Sequence, residues 1–321
     1  MWLNIVLIAF GFILLIQSAD WLVEHSASLA KKIGVSPLII GLTLVAFGTS
    51  APELVVNIIS SLKGSSELIF GNIIGSNIAN ICLIVGLSAL IMPLGIKSQT
   101  IFKEMPLMLL GGAALAILSL DTILNQADSK IIHFGDGLIL LLLFFVFLYY
   151  TINSALSNRD KAESEFKKDI KKNKTGLSLS LIGVSLFGLF LGGRLVVDNA
   201  VDLAVILGIS QKLIGLTIVA IGTSLPELIT SIMAALKKEA DIAIGNIVGS
   251  NIFNTTFIIG VSALIRPIEL PAVIAFDLSV MTISFLLLFL FSLTKRKIEK
   301  WEGFVLLVIY LAYILLLIFR G

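Results

Sequence analysis

The chain has 321 residues, 57% of them hydrophobic and only 14% charged, with a mean hydropathy of +1.05. A soluble domain carries about 25% charge, so this composition excludes one and defines an integral membrane protein. The net charge of +2 points to no nucleic-acid partner, and the single Cys82, set in an apolar run, supports neither a disulfide framework nor a thiolate metal cluster.

A bilayer core takes about 20 apolar residues per helix. Ten such stretches are predicted, at 2–24, 38–62, 67–92, 102–121, 135–155, 177–205, 212–236, 241–266, 272–293 and 302–320. Runs such as GLILLLLFFVFLYY (137–150) do not alternate as barrel strands would, so the spans are helices. The first stretch lacks the basic start of a secretory signal and is read as a retained span. Asp20, Glu24, Arg194, Asp198 and Asp202 fall near the ends of the first and sixth spans, where snorkelling or local pairing accounts for them, and Arg194 and Asp198 are four residues apart. His25 and His133 sit at membrane edges with no catalytic duty.

The second span carries GLTLVAFGTSAPEL (41–54), a run with two Thr, a Ser, a Pro and a carboxylate in an apolar setting. On a helix Thr49, Glu53 and Asn57 share a face, with Ser50 beside them. The third span adds Asn72, Ser76 and Asn80 at the same spacing. Oxygen stripes of this kind suit hard cations, which take carboxylates, amides and carbonyls. Pro52 lacks an N–H, so a kink should free carbonyl oxygens around Ala46 to Thr49. An ionisable residue at membrane depth is by default a functional site.

Residues 157–176 form the one extended polar stretch, a linker. Beyond it the pattern returns at an offset of 174: residues 41–54 match 215–228 at 11 of 14 positions, 71–81 match 245–255 at 8 of 11, and 86–93 match 260–267 at 6 of 8. The second copy supplies Thr223, Ser224, Glu227 and Ser231, then Asn246, Ser250 and Asn254, with Pro226 expected to kink the helix around Ala220 to Thr223. Gly71, Gly75, Gly245 and Gly249 fit close helix packing. Asn77 and Asn251 are either helix glue or site lining.

Five spans separate equivalent points, an odd number, so the second copy should cross the membrane in the opposite sense. That is the inverted repeat of secondary transporters, with a midplane site between the halves. The expected organisation is an N-terminal five-helix half (1–156, repeat motif 41–93), the linker, and a C-terminal inverted half (177–321, repeat motif 215–267). With both termini outside, 17 of the 23 Lys and Arg residues fall on the cytoplasmic side, the linker among them.

The paired GTSAPE…GNIIGSNIAN and GTSLPE…GNIVGSNIFN resemble the repeats of the cation/Ca²⁺ exchanger superfamily, and the short linker is similar to that of its prokaryotic sodium/calcium exchangers. The resemblance implies ten helices in two inverted five-helix halves. It makes Glu53 and Glu227 shared calcium and sodium carboxylates, with Thr49 and Thr223 assisting partly through backbone oxygen. Ser50, Ser76, Ser224 and Ser250 complete the sodium positions, Ala46 and Ala220 offer carbonyls, and Asn80 and Asn254 face each other at the centre. Relatives that also carry potassium typically have Asp at the position of Asn254, so amides at both places imply potassium-independent exchange.

The resulting expectation is a Na⁺/Ca²⁺ antiporter that needs no cofactor beyond the transported ions, resides in the lipid bilayer and works as a monomer. A H⁺/Ca²⁺ antiporter is the alternative, and a cation channel a more distant one. An enzyme is disfavoured, with no HExxH and neither His near the repeats.

Overall fold

The protein is described here from a computed structural model covering residues 1–119, 131–157, 175–208, 220–271 and 274–320. Residues 158–174 of the linker, 215–219 of the second motif and the start of the seventh predicted span lie outside the described residues. The chain is helical apart from four two-residue strands. Helix α1 spans Trp2–Ile33, α2 Pro37–Thr49, α3 Ala51–Lys63, α4 Ser66–Ile91, α5 Thr100–Ser119, α6 Phe134–Ser157 and α7 Thr175–Ile206. Then follow α8 (Ala220–Thr223), α9 (Leu225–Leu236), α10 (Ala240–Ile265), α11 (Ile274–Lys295) and α12 (Lys300–Arg320).

Among the described residues eight helices are long and apolar enough to cross a bilayer, and α2 with α3, bent by 46° at Ser50, makes a ninth. The first helix runs nine residues beyond the predicted end of its span, through Lys31 and Lys32 to a left-handed Gly34 cap with φ of 68°. A polar last turn leaves the hydrocarbon without ending the helix, so hydropathy alone misplaces its end.

The packing follows from apolar content and from small residues. Helices α4 and α10 are central, with 78% and 83% of their most apolar windows buried against 22% for α1 and α6. Helix α10 lies directly on α2, because a Cβ on Gly245 would stand 2.7 Å from the Leu38 carbonyl oxygen and one on Gly249 2.5 Å from that of Leu42. Their counterparts Gly71 and Gly75 have no described atom within 4 Å of a built Cβ, and the equivalent segment 215–219 is outside the described residues. Helices α1 and α7 run antiparallel in contact: a Cβ on Gly11 would lie 3.0 Å from the Gly192 carbonyl oxygen, and Lys32 Nζ donates to Ser178 Oγ at 2.8 Å. Close backbone approach through small residues is how helices associate where no hydrophobic drive separates lipid from Leu.

Strand β1 (Leu94–Gly95) pairs antiparallel with β4 (Lys297–Ile298), and β2 (Ile131–Ile132) with β3 (Ile268–Glu269). Each pair ties the turn after a central helix of one half of the sequence to a loop in the other half. The offset of 174 carries β1 onto β3.

Both central helices widen into π-helical turns at matched places, Ala79–Val85 and Phe253–Ile258, each containing a site asparagine. Such turns are rare and concentrate at functional sites.

Substituting Gly249 by Val should therefore lower the thermal unfolding midpoint in detergent by an amount equivalent to about 1–3 kcal/mol. Gly183→Ala, where no described atom lies within 4 Å, should leave the midpoint unchanged or raise it.

Candidate functional site

The polar core is built on the two breaks that Ser-x-Pro-Glu makes in the helices. Ser50 and Ser224 occupy the N-cap positions of α3 and α9, with nearly identical backbone angles (φ −83°, ψ 8° and φ −87°, ψ 6°). Proline then falls in the first turn, where its missing N–H costs nothing. Glu53 and Glu227 follow in the same turn, at the helix end whose dipole favours a carboxylate. The expected kink at Pro52 is thus a break at Ser50 with a fresh helix start. The stripe Thr49–Glu53–Asn57 does not lie on one continuous helix, because α2 ends at Thr49 and α3 begins at Ala51.

Thr49, Ser50, Ser76, Ser224 and Ser250 are buried with Glu53, Glu227, Asn80 and Asn254, while Thr223 is half-buried. Hydrogen bonds tie them together both within a sequence half and across the two. Ser50 Oγ donates to Glu227 Oε1 at 2.9 Å, Ser76 Oγ to Glu53 Oε1 at 3.3 Å, and Ser224 Oγ to Ser76 Oγ at 3.1 Å. The two carboxylates are joined through this network, Glu53 by way of Ser76 to Ser224 at the N-cap of the helix that carries Glu227. The Ala46 carbonyl is engaged, taking the Ser50 amide at 3.0 Å, Thr49 Oγ1 at 3.3 Å and Ser250 Oγ at 3.5 Å. Of Ala220 the structure describes the backbone only.

Two further asparagines hold the frame. Thr49 Oγ1 donates to Asn246 Oδ1 at 3.0 Å, and at the offset of 174 Thr223 Oγ1 donates to Asn72 Oδ1 at 3.3 Å. Each asparagine turns its amide nitrogen to its own half, Asn246 to Ser231 Oγ at 3.1 Å and Asn72 to Asn57 Oδ1 at 2.7 Å. The four-apart spacing Asn72–Ser76–Asn80 marks these residues in the sequence, but it does not reveal that they clamp the threonines of the other half. Asn77 accepts from Asn254 Nδ2 at 3.2 Å and so belongs to the site's surroundings, whereas Asn251 donates back to the Ile247 carbonyl at 2.7 Å.

Four oxygens in this cluster have no hydrogen-bond donor: Glu53 Oε2, Glu227 Oε2, Asn80 Oδ1 and Asn254 Oδ1. Buried polar atoms are satisfied in the great majority of cases, and every orphan among these four is an acceptor. Such a set of bare acceptors can take a cation, a proton or a water's hydrogen. Among the described residues no group of three or more His, Cys, Asp and Glu side chains able to hold a metal occurs, and Glu53 and Glu227 are the charged members of this cluster.

A multi-pass membrane protein with such an oxygen cluster at the meeting of broken helices belongs to the class of ion transporters. The family profile described as sodium/calcium exchanger protein matches residues 3–153 and 177–319, and the chain belongs to this family. It is 39% identical to a putative antiporter, CaxA, of Alkalimonas amylolytica over 94% of this chain and 95% of that one. Identity to the sodium/calcium exchanger MaX1 of Methanosarcina acetivorans is 32%, over 98% and 99% of the two chains. The fold matches a solved structure of the sodium-calcium exchanger NCX_Mj soaked with Na⁺ and Ca²⁺, with a TM-score of 0.83, 33% identity and 97% of each chain covered. The chain is accordingly of the prokaryotic cation/Ca²⁺ exchanger type, a transporter family.

Replacing Asn246 by Leu leaves Thr49 only the Ala46 carbonyl to donate to, removes the donor to the buried Ser231 hydroxyl, and should cost about 1–3 kcal/mol of stability. Asn72→Leu should cost less, because Asn72 is only half-buried. Thermal unfolding of the two purified variants side by side checks the order.

Proposed function

We propose that the chain is a secondary active antiporter that exchanges Na⁺ for Ca²⁺ by alternating access, electrogenically and without K⁺. The four donorless acceptor oxygens carry this reading. The ligand set is Glu53 and Glu227, with Thr49, Thr223, Ser50, Ser224, Ser76, Ser250, Asn80 and Asn254 and the carbonyls of Ala46 and Ala220. Charge counting gives the coupling. An empty pocket with two ionised carboxylates carries −2 and resists passage through a low-dielectric barrier, since bare charge is costly there. One Ca²⁺ neutralises it, two Na⁺ do the same, and a further Na⁺ leaves net positive charge, so moving a different number of charges each way makes exchange electrogenic. The amides at Asn80 and Asn254 add oxygen without charge, which favours K⁺-independence.

The architecture behind the proposal is ten transmembrane helices in two inverted five-helix halves, residues 1–156 and 177–321, joined by the linker 157–176. Three matched pairs of observations support it: the cross-half bonds Thr49–Asn246 and Thr223–Asn72, the π-helical turns at Asn80 and Asn254, and the strand pairs β1–β4 and β2–β3. The described part of the tenth span is α8 with α9. Both termini lie outside and the linker is cytoplasmic, from the distribution of Lys and Arg. One chain contains both halves of the site, so a monomer suffices.

The deciding measurement is ⁴⁵Ca²⁺ uptake into proteoliposomes. Uptake should require an opposing Na⁺ gradient, proceed in K⁺-free medium and respond to membrane potential. Uptake driven equally by a pH gradient alone would replace Na⁺ with H⁺, and uptake indifferent to both gradients would mean a channel.

Glu53→Gln and Glu227→Gln should each reduce coupled uptake by roughly a hundredfold or more, as loss of one buried charged partner does. Saturating Ca²⁺ should also raise the unfolding midpoint of the parent protein, by the equivalent of about 2.7 kcal/mol at a hundred times Kd, and leave both variants unmoved.

A further inference from the structure

The offset of 174 pairs α1 with α7 and α9 with α3, so the contact between α1 and α9 has a counterpart between α7 and α3. The two differ. Lys237, just after α9, reaches back to α1: its ammonium lies 2.9 Å from Asp20 Oδ1, donates to the Asp20 carbonyl at 2.9 Å and stands 3.4 Å from Glu24 Oε2. Lys237 and Asp20 are partly shielded, with side chains 27% and 32% exposed. Helix α1 packs along α9 beside this contact.

At the counterpart, Lys63 stands where Lys237 does, Asp198 takes the place of Glu24, and Arg194 takes the place of Asp20. Arg194 Nε instead lies 3.3 Å from Asp198 Oδ2 on its own helix, with the two side chains 68% and 62% exposed. Among the described residues no comparable packing joins α7 to α3. A cavity of about 340 Å³ occupies the gap, lined by Pro52, Val56 and Ile59 of α3 and by Phe190, Val197 and Asp198 of α7. It also touches Thr223 and Pro226, so it reaches residues next to both site glutamates.

We propose that Lys237 with Asp20 and Glu24 forms a latch holding α1 against α9, and that Arg194, standing where the pattern calls for an acid, denies Lys63 the matching latch on α7. The protein then rests, without ions, in the conformation with the α1–α9 side shut and the α7–α3 side open. The asymmetry is electrostatic. Closing α7 onto α3 brings Lys63 toward Arg194, a like charge, and toward an Asp198 already paired with that arginine. Opening α1 from α9 breaks an ion pair for which the other side offers no replacement. A partly exposed pair biases a two-state equilibrium only a few-fold, which suits a cycle that must still run both ways. The proposal rests on the alternating-access reading of the repeats.

The test uses the full chain in proteoliposomes, in a Cys82→Ser background, with Val56→Cys as a reporter in the cavity and a membrane-impermeant maleimide as the probe in ion-free buffer. Lys237→Gln and Arg194→Asp should each slow labelling of the reporter by roughly two- to fivefold, Lys237→Arg should label at the parent rate, and adding Lys63→Gln should restore the rate of Arg194→Asp. Unchanged labelling in both Lys237→Gln and Arg194→Asp overturns the latch. Slowing by Arg194→Asp that persists with Lys63→Gln overturns the role given to Lys63. Each variant is first checked for a monodisperse elution profile, and Arg194→Asp keeps the latch testable if Lys237→Gln does not fold. Ca²⁺ uptake by the parent in the same vesicles separates the two readings: exchange without the labelling response refutes the latch alone, whereas the labelling response without Na⁺-coupled uptake refutes the sodium assignment and leaves the latch standing.

Discussion

Everything in this protein turns on the cost of leaving a buried oxygen without a donor. A hydrocarbon environment forces backbone groups into helices, and those helices break only where something else receives the polar atoms. At Ser50 and Ser224 the breaks are used to bring two helix N-termini, two carboxylates and a set of hydroxyls to one place. The hydroxyls satisfy one oxygen of each carboxylate and leave the other bare. The protein thereby keeps a set of bare acceptors in its core, a destabilising arrangement that a cation would relieve under the proposed function. The strain and the function are the same feature.

The rest of the molecule holds that arrangement steady. Asn72 and Asn246 bind the threonines across the halves, and the close approach of α10 to α2 through Gly245 and Gly249 sets the distance between a broken helix and a central one. Four phenylalanines, Phe47, Phe144, Phe253 and Phe257, pack next to the site with centroids 4.7–5.8 Å apart and add apolar mass around it. Their offset counterparts include Ile221, Ala79 and Leu83, so the surroundings of the site are less symmetric than its oxygens. The ion pairs at Lys237 and Arg194 depart from the pattern in the same way. Matched groups sit at the oxygen cluster and unmatched groups around it, as the proposed exchange would require of a site reached from two sides.

Much of this was legible in the residues. The composition named the solvent, the apolar runs located most of the described helices to within a few residues though they ended the first one nine residues early, and the duplication picked out Glu53 and Glu227 before any fold was known. The carboxylates stood out because charge in an apolar run is costly enough to need a reason. Less legible were Asn72 and Asn246, whose spacing marked them as oxygen-bearing while their partners lay in the other half. The stripe through Thr49, Glu53 and Asn57 was drawn on an unbroken helix, yet proline in a first turn starts a helix as readily as it kinks one.

What the sequence determined by itself is whatever short-range chemistry dictates: the membrane as solvent, the spans, the turn signal Ser-x-Pro-Glu, and the presence of two acids in equivalent copies. Only the tertiary structure decided which oxygens are paired and which are left bare, which glycines touch backbone, and that Lys237 holds α1 while Arg194 turns back on its own helix. These are contacts between residues as many as 217 positions apart. Local pattern carries no information about them, because they depend on where two halves of the chain come to rest against each other.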